Sequence, residues 1–329
     1  MTGDAAPLVR PDYLLWDMIL PLAPSVGNDL ALIDRFRAAG HHYVSLTIAG
    51  DDSGLSEAMH RVARARRMIA EGGDRLMLVE TAGDVAAARA AGKLAVGLHL
   101  EGTECLERNV DMLDAMYALG IRHAILAFNL NNSAAGGCAD LGNVGLTRYG
   151  RRLLDRMAQI GLLLDLSHMG ERSSLEAIEH IGRPVIFSHS NARALHEHYR
   201  NISDVQARAC AASGGLIGVS GSTAYLGDWA DLVEGAFAHL DHFVQLVGPD
   251  HVGLGTDYVA DAATVLKVFA ERPDEWPTGD GIAYDHIAYL PPEDIWRLVA
   301  RMERAGYGEC AIGAILGGNY MRIARAVWA

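Results

Sequence analysis

Two Ser-His pairs, Ser167-His168 and Ser188-His189, are spaced as residues that could do chemistry together. Each follows a short apolar run, Leu162 to Leu166 and Val185 to Phe187, and the segment Ser173 to Ile181 between them has a helical pattern. That is a strand, helix, strand unit with a histidine at each strand exit. A parallel pair needs such a crossover, which places equivalent strand ends on one edge of the sheet. His168 and His189 are therefore expected side by side. Two further strand exits carry carboxylates, Glu101 in H-L-E-G-T-E and Asp257 in G-L-G-T-D-Y. Two neutral imidazoles and one carboxylate are three protein ligands for a catalytic zinc, with a fourth position left for water. Asp257 is then placed to take a proton from that water and return it to a leaving group. A lone Ser-His at a strand end is usually a hydrogen-bonded structural pair; recurrence at equivalent exits favours a shared site.

The elements that must position these residues repeat one rhythm. Apolar runs suited to buried parallel strands occur at Leu14 to Ile19, Tyr43 to Ile48, Leu94 to Leu100, Ala124 to Phe128, Leu162 to Leu166, Val185 to Phe187, Leu216 to Val219 and Val252 to Leu254. Helical segments separate them. Strands alternating with helices in this number predict a (β/α)8 TIM barrel of the metal-dependent hydrolase type, with its chemistry at the carboxyl ends of the strands. A doubly wound open sheet is the alternative, disfavoured because no G-x-G-x-x-G follows the first strand. A ninth run, Leu76 to Val79, is expected outside the barrel. Residues 1–329 read as a single barrel domain, with 129–146 and 258–291 as loop excursions near the mouth.

Composition fits an enzyme of small molecules. The chain has 329 residues, 50% hydrophobic and 21% charged, enough to bury a full core. A formal charge of -13 argues against nucleic acid or an anionic membrane as partner, since both are bound through Lys and Arg clusters. The first residues lack the apolar core of a signal peptide and no run of about 18 apolar residues occurs, which predicts a cytoplasmic protein. Cys105, Cys138, Cys210 and Cys310 form no C-x-x-C pair, so reduced thiols are expected. Whether the chain pairs as a homodimer stays open.

L-D-L-S-H, P-V-I-F-S-H-S-N-A-R, Arg200-Asn201, G-P-D-H-V-G-L-G-T-D and L-G-G-N-Y-M-R together resemble the membrane (renal) dipeptidase family of zinc metallopeptidases, from about residue 90 to the C-terminus. The resemblance implies an amidohydrolase-type barrel that hydrolyses dipeptides with two zinc ions. It implies Glu101 as the carboxylate bridging the metals, His168 and His189 as the remaining ligands of the second, and Asp257 as the group that handles protons. Arg200 would hold the free carboxylate of the substrate, a role suited to a planar, bidentate fork.

The N-terminal third departs from that pattern. Where the family's first strand supplies a histidine and an aspartate to the first metal, this chain has Ile19 and Pro21; Phe128 replaces a histidine at the fourth strand, and Val259 an aspartate after the eighth. One zinc ion per chain is therefore expected, held by Glu101, His168 and His189. Asp17 either reaches the metal or bonds nearby amides. His99 alternates with Glu101 and reads as a buried, hydrogen-bonded histidine, whereas His196 and His198 read as solvent-facing. Asn131 and Asn132 either donate to substrate or shape a turn. Gly317 and Gly318 read as a turn and not a phosphate cradle. The leading function is a metal-dependent hydrolase of a dipeptide or similar small amide. A related hydrolase of N-acyl amino acids or lactones, and a non-catalytic barrel binding a small carboxylate, are the alternatives.

Overall fold

The computed structural model describes residues 12–21, 30–279 and 281–328. The apolar runs form strands β1 (Trp16–Leu20), β2 (Tyr43–Gly50), β3 (Leu76–Leu78), β4 (Leu94–Glu101), β5 (Ile121–Ile125), β6 (Leu163–Asp165), β7 (Ile186–Phe187), β8 (Leu216–Val219) and β9 (Val252–Leu254). Their residues are buried almost throughout, as parallel strands covered on both faces require. Eight follow one hydrogen-bonded path, β1-β2-β4-β5-β6-β7-β8-β9, and helices alternate with them: a (β/α)8 barrel. The ninth, β3, lies off the path and pairs only with β4, Leu76 opposite Leu94.

The strands that carry the Ser-His exits are short, and β6 meets β7 through the single register pair Asp165 and Ile186. A buried carboxylate replaces the missing ladder. Asp165 Oδ1 accepts from the backbone amides of Ser167 (3.1 Å) and Ser188 (3.0 Å), fixing both exits to one point. At the β9 exit, Gly255 is needed because a Cβ there would meet the Ser188 carbonyl oxygen at 1.9 Å.

Among the described residues no ladder joins β1 to β9. That seam is closed by Asp17, whose carboxylate accepts from Thr256 N (3.0 Å), Thr256 Oγ1 (2.5 Å) and Ile19 N (3.3 Å). Asp17 is therefore a structural tie, its side chain committed to backbone and hydroxyl donors. Burial pushes its carboxyl up to about 6, against the pull of those hydrogen bonds. At the opposite end of the barrel, Trp16 stacks on Tyr43 with centroids 4.0 Å apart, and Tyr320 and Trp328 complete the cluster. Gly317 lies at that end, against the Leu14 carbonyl, in a close approach that leaves no room for a side chain.

Of the two expected excursions, 129–146 contains neither helix nor strand. The other needs correction: 258–291 holds the helix Ala262–Glu271. Pro273 and Pro277 break the chain only after that helix, whose Val265, Val268, Phe269 and Arg272 fall on one face at i, i+3, i+4 and i+7. No helix among the described residues is long and apolar enough to cross a membrane.

Candidate active site

The strand exits bring the two histidines together. His168 Nε2 lies 2.8 Å from His189 Nε2. Each ring is held by its other nitrogen, His168 Nδ1 at 2.7 Å from Asn129 Oδ1 and His189 Nδ1 at 2.7 Å from Ser188 Oγ. An amide oxygen only accepts, so His168 Nδ1 carries the proton and its Nε2 presents a lone pair. Burial, followed by the charge of Arg200, lowers both imidazoles, His168 well below its usual value and His189 to about 3. Neutral rings with converging Nε2 atoms are what a divalent cation requires.

Glu101 sits in the barrel interior with Oε1 accepting from Thr47 Oγ1 (3.1 Å) and 3.3 Å from His99 Nε2. His99 in turn contacts Ser45 Oγ at 2.9 Å, and Ser45 leads to His123 at 3.0 Å. Burial raises the Glu101 carboxyl, while the Thr47 hydrogen bond and the charge of Arg200 oppose the rise. Asp257 lies in the same cavity; burial first, then repulsion from Glu101, hold it well above the usual carboxylate range, with Arg200 pulling the other way. A buried carboxyl so perturbed is a candidate for proton exchange with substrate. Among the described residues, no three His, Cys, Asp or Glu side chains stand close enough together to complete a metal site, so the expected trio of Glu101, His168 and His189 is present as an imidazole pair with Glu101 lying apart from it. The donor chemistry fits one ion. Ile19 is a buried hydrocarbon and Pro21 lines the cavity, so neither adds a side-chain donor beside the pair.

Backbone strain collects here. His168 (φ 67°), Asp257 (φ 55°) and Asn129 (φ 53°) all occupy the left-handed region that non-glycine residues avoid, a cost accepted at sites that need a particular side-chain direction.

Arg200 is buried, its Nη2 donating to the His189 carbonyl at 3.4 Å and its guanidinium 5.1 Å from the Tyr225 ring centroid. Its Nε has no hydrogen-bond partner among the described residues. One placement differs from expectation. His198 is buried, not solvent-facing: its Nδ1 accepts from Arg200 N (3.0 Å) and its Nε2 lies 3.1 Å from the Tyr284 hydroxyl, a partner 86 residues away. Asn131 bonds within its own loop, with Oδ1 accepting from Gly137 N and Nδ2 donating to the Leu141 carbonyl. Asn132 likewise bonds Asp51 and the Leu126 carbonyl.

Residues 49–270 match the sequence pattern of the membrane dipeptidases, peptidase family M19. A protein encoded beside pqqA in Klebsiella pneumoniae, itself uncharacterized, is 30% identical over 82% of this chain and 95% of its own length. The chain belongs to the membrane dipeptidase family. A dipeptidase of Schizosaccharomyces pombe, also uncharacterized, is 32% identical over 67% of this chain, which spans 55% of that relative. The fold agrees with an amidohydrolase from Pseudomonas aeruginosa at a TM-score of 0.87, 22% identity and coverage of 96% and 97% of the two chains. As a membrane dipeptidase relative the protein is a metal-dependent hydrolase acting on a small molecule.

Asn129 was the functional residue least visible beforehand. It fixes the His168 tautomer with Oδ1, accepts there from Cys138 Sγ at 3.4 Å, and ties itself to the Glu275 carbonyl through Nδ2 at 2.9 Å. Its only sequence signal was its place one residue beyond a strand exit. Losing such a partner typically weakens metal binding about 10- to 100-fold. Asn129→Ala is therefore expected to raise the zinc dissociation constant by that factor, measured by competition with a chelating dye, with Asn129→Asp retaining most affinity. Equal affinity in the alanine variant would refute the role.

Proposed function

We propose that this protein hydrolyses a dipeptide-like amide whose leaving side bears a free carboxylate, using one zinc ion. The observation that carries the reading is the pair of neutral imidazoles with Nε2 atoms 2.8 Å apart, the His168 ring lining a cavity that also holds Asp257. In this reading His168, His189 and Glu101 hold the ion, which supplies Lewis acidity and makes water acidic enough to attack near neutral pH. Imidazole-rich ligation favours zinc over magnesium or calcium. Arg200 pairs with the substrate carboxylate: a buried guanidinium with an unpartnered Nε is poised for a bidentate acceptor. Asp257 takes the proton from the attacking water and passes it to the departing nitrogen. The cavity, about 160 Å³, suits a small molecule.

Elemental analysis of protein purified without chelators, paired with a hydrolysis assay, tests this. One equivalent of zinc, with activity lost to a chelator and restored by zinc, is the expected result. Two equivalents would show that the first site is rebuilt from other residues. No metal, and no turnover on adding zinc, would favour a barrel that only binds carboxylates.

A further inference from the structure

The cavity at the barrel mouth has an unusual wall. Pro21, Phe128 and Val259, three positions at which the chain departs from the family's motifs, all line it. The helix Ala262–Glu271 adds Val265, Val268 and Phe269, so a stripe that would ordinarily be sealed in a core opens on this space. Phe128 stacks on His168 (centroids 4.0 Å apart, 23°), Trp276 meets Phe128 edge-on at 5.8 Å, and Phe269 stacks on Trp276 at 4.7 Å. The apolar surface thus runs without a break from the imidazole pair outward.

The acidic groups beside this wall already face cations. Asp52 pairs with Arg272 at 2.7 Å, and Glu275 shares that guanidinium at 3.6 Å. Deeper in, Asp257 lies in the field of Arg200, and Glu101 is engaged by Thr47 and His99. An α-ammonium entering here would meet hydrocarbon, or would have to displace Arg272, and a buried charge without a partner is strongly disfavoured.

We infer that the acyl side of the scissile amide is uncharged and apolar, making the substrate an N-acyl amino acid and not a dipeptide with a free amine. This rests on the amide-hydrolase reading above and narrows its substrate. The reaction is plain hydrolysis: the C–N bond breaks, the water oxygen joins the acyl carbon, a water proton goes to the departing nitrogen, and a carboxylic acid and an amino acid leave.

A matched pair tests it, 3-phenylpropanoyl-alanine against phenylalanyl-alanine, which differ only in the α-ammonium, each with both alanine enantiomers and zinc-loaded enzyme. The acylated compound is expected to show kcat/KM at least about tenfold higher. It should also exceed acetyl-alanine about 10- to 100-fold, the return for burying a phenyl side chain. Val268→Asp, which sets a carboxylate on the half-buried wall, should move the ratio toward phenylalanyl-alanine. Equal or faster cleavage of phenylalanyl-alanine by the native protein overturns the inference and leaves amide hydrolysis standing. A ratio unmoved by Val268→Asp overturns the assignment of this wall. No cleavage of any of the three compounds with zinc bound overturns both the inference and the reading beneath it.

Discussion

Asp257→Asn is expected to lower kcat by about 100- to 10,000-fold, the usual contribution of a positioned acid-base group. The substitution keeps shape and removes only the ability to carry a proton. It also suits the backbone: Asp257 sits at φ 55°, and asparagine is among the residues that tolerate the left-handed region best. The fold should therefore persist, and zinc content should not change, because the imidazole pair lies on other strands. Steady-state kinetics with metal analysis on the same sample decides it. Turnover within a few-fold of native would place the proton shuttle elsewhere.

A second large effect is expected from acid. His41, His198 and His239 are buried outside the proposed metal ligands, and burial pulls them down to about 4, 3 and 4. Two of them make hydrogen bonds that require neutral rings: His239 Nδ1 accepts from Ala192 N at 3.0 Å, and His198 Nδ1 accepts from Arg200 N. In the unfolded chain they titrate near 6.5. Below that value the unfolded state binds more protons, so stability is full above about pH 6.5 and falls as the pH drops toward 4. At 1.36 kcal/mol per pKa unit His41 and His239 each contribute about 3 kcal/mol and His198 about 5, on the order of 10 together. Asp17 works the other way. Its folded value near 6 lies above the unfolded one, so protonation returns about 3 kcal/mol over the same interval. Asp51, raised by burial to about 6, returns a similar amount, which leaves a net loss of several kcal/mol, a sizeable part of the about 5 to 15 kcal/mol that holds a typical domain together. Thermal melts should therefore be flat from pH 8 to 6.5 and collapse between 6 and 4.5. A melting temperature that holds to pH 4.5 would contradict this.

The barrel was legible because its signal is local. Runs such as Leu94 to Leu100 and Val252 to Leu254 declare buried parallel strands by composition alone, and a Ser-His after two of them locates the imidazole pair. What stayed hidden depends on partners far along the chain. His198 reads as a surface residue in H-E-H-Y until Tyr284 covers it, and Asp17 had two readings until Thr256, 239 residues away, took its carboxylate. Asp165 lies in plain view in L-D-L-S-H, yet its work of holding two strand exits together requires knowing that β6 and β7 are too short to do so themselves. The helix Ala262–Glu271 had a readable stripe, but the prolines that follow it drew the whole stretch toward irregular structure.

The seam between β1 and β9 bears on how the chain assembles during synthesis. Every other barrel strand finds a neighbour close by in sequence, so the sheet can grow from β1 onward as residues emerge. Asp17 cannot meet Thr256 until more than two hundred further residues have been made, and closing so long a loop comes at a late entropic cost. Until then the carboxylate of Asp17 stays in water and ionised, and one edge of the growing sheet stays open. Closure of the barrel therefore waits on G-L-G-T-D reaching the first strand. The closing contact also fixes the strand exit that carries Asp257, one residue beyond Thr256.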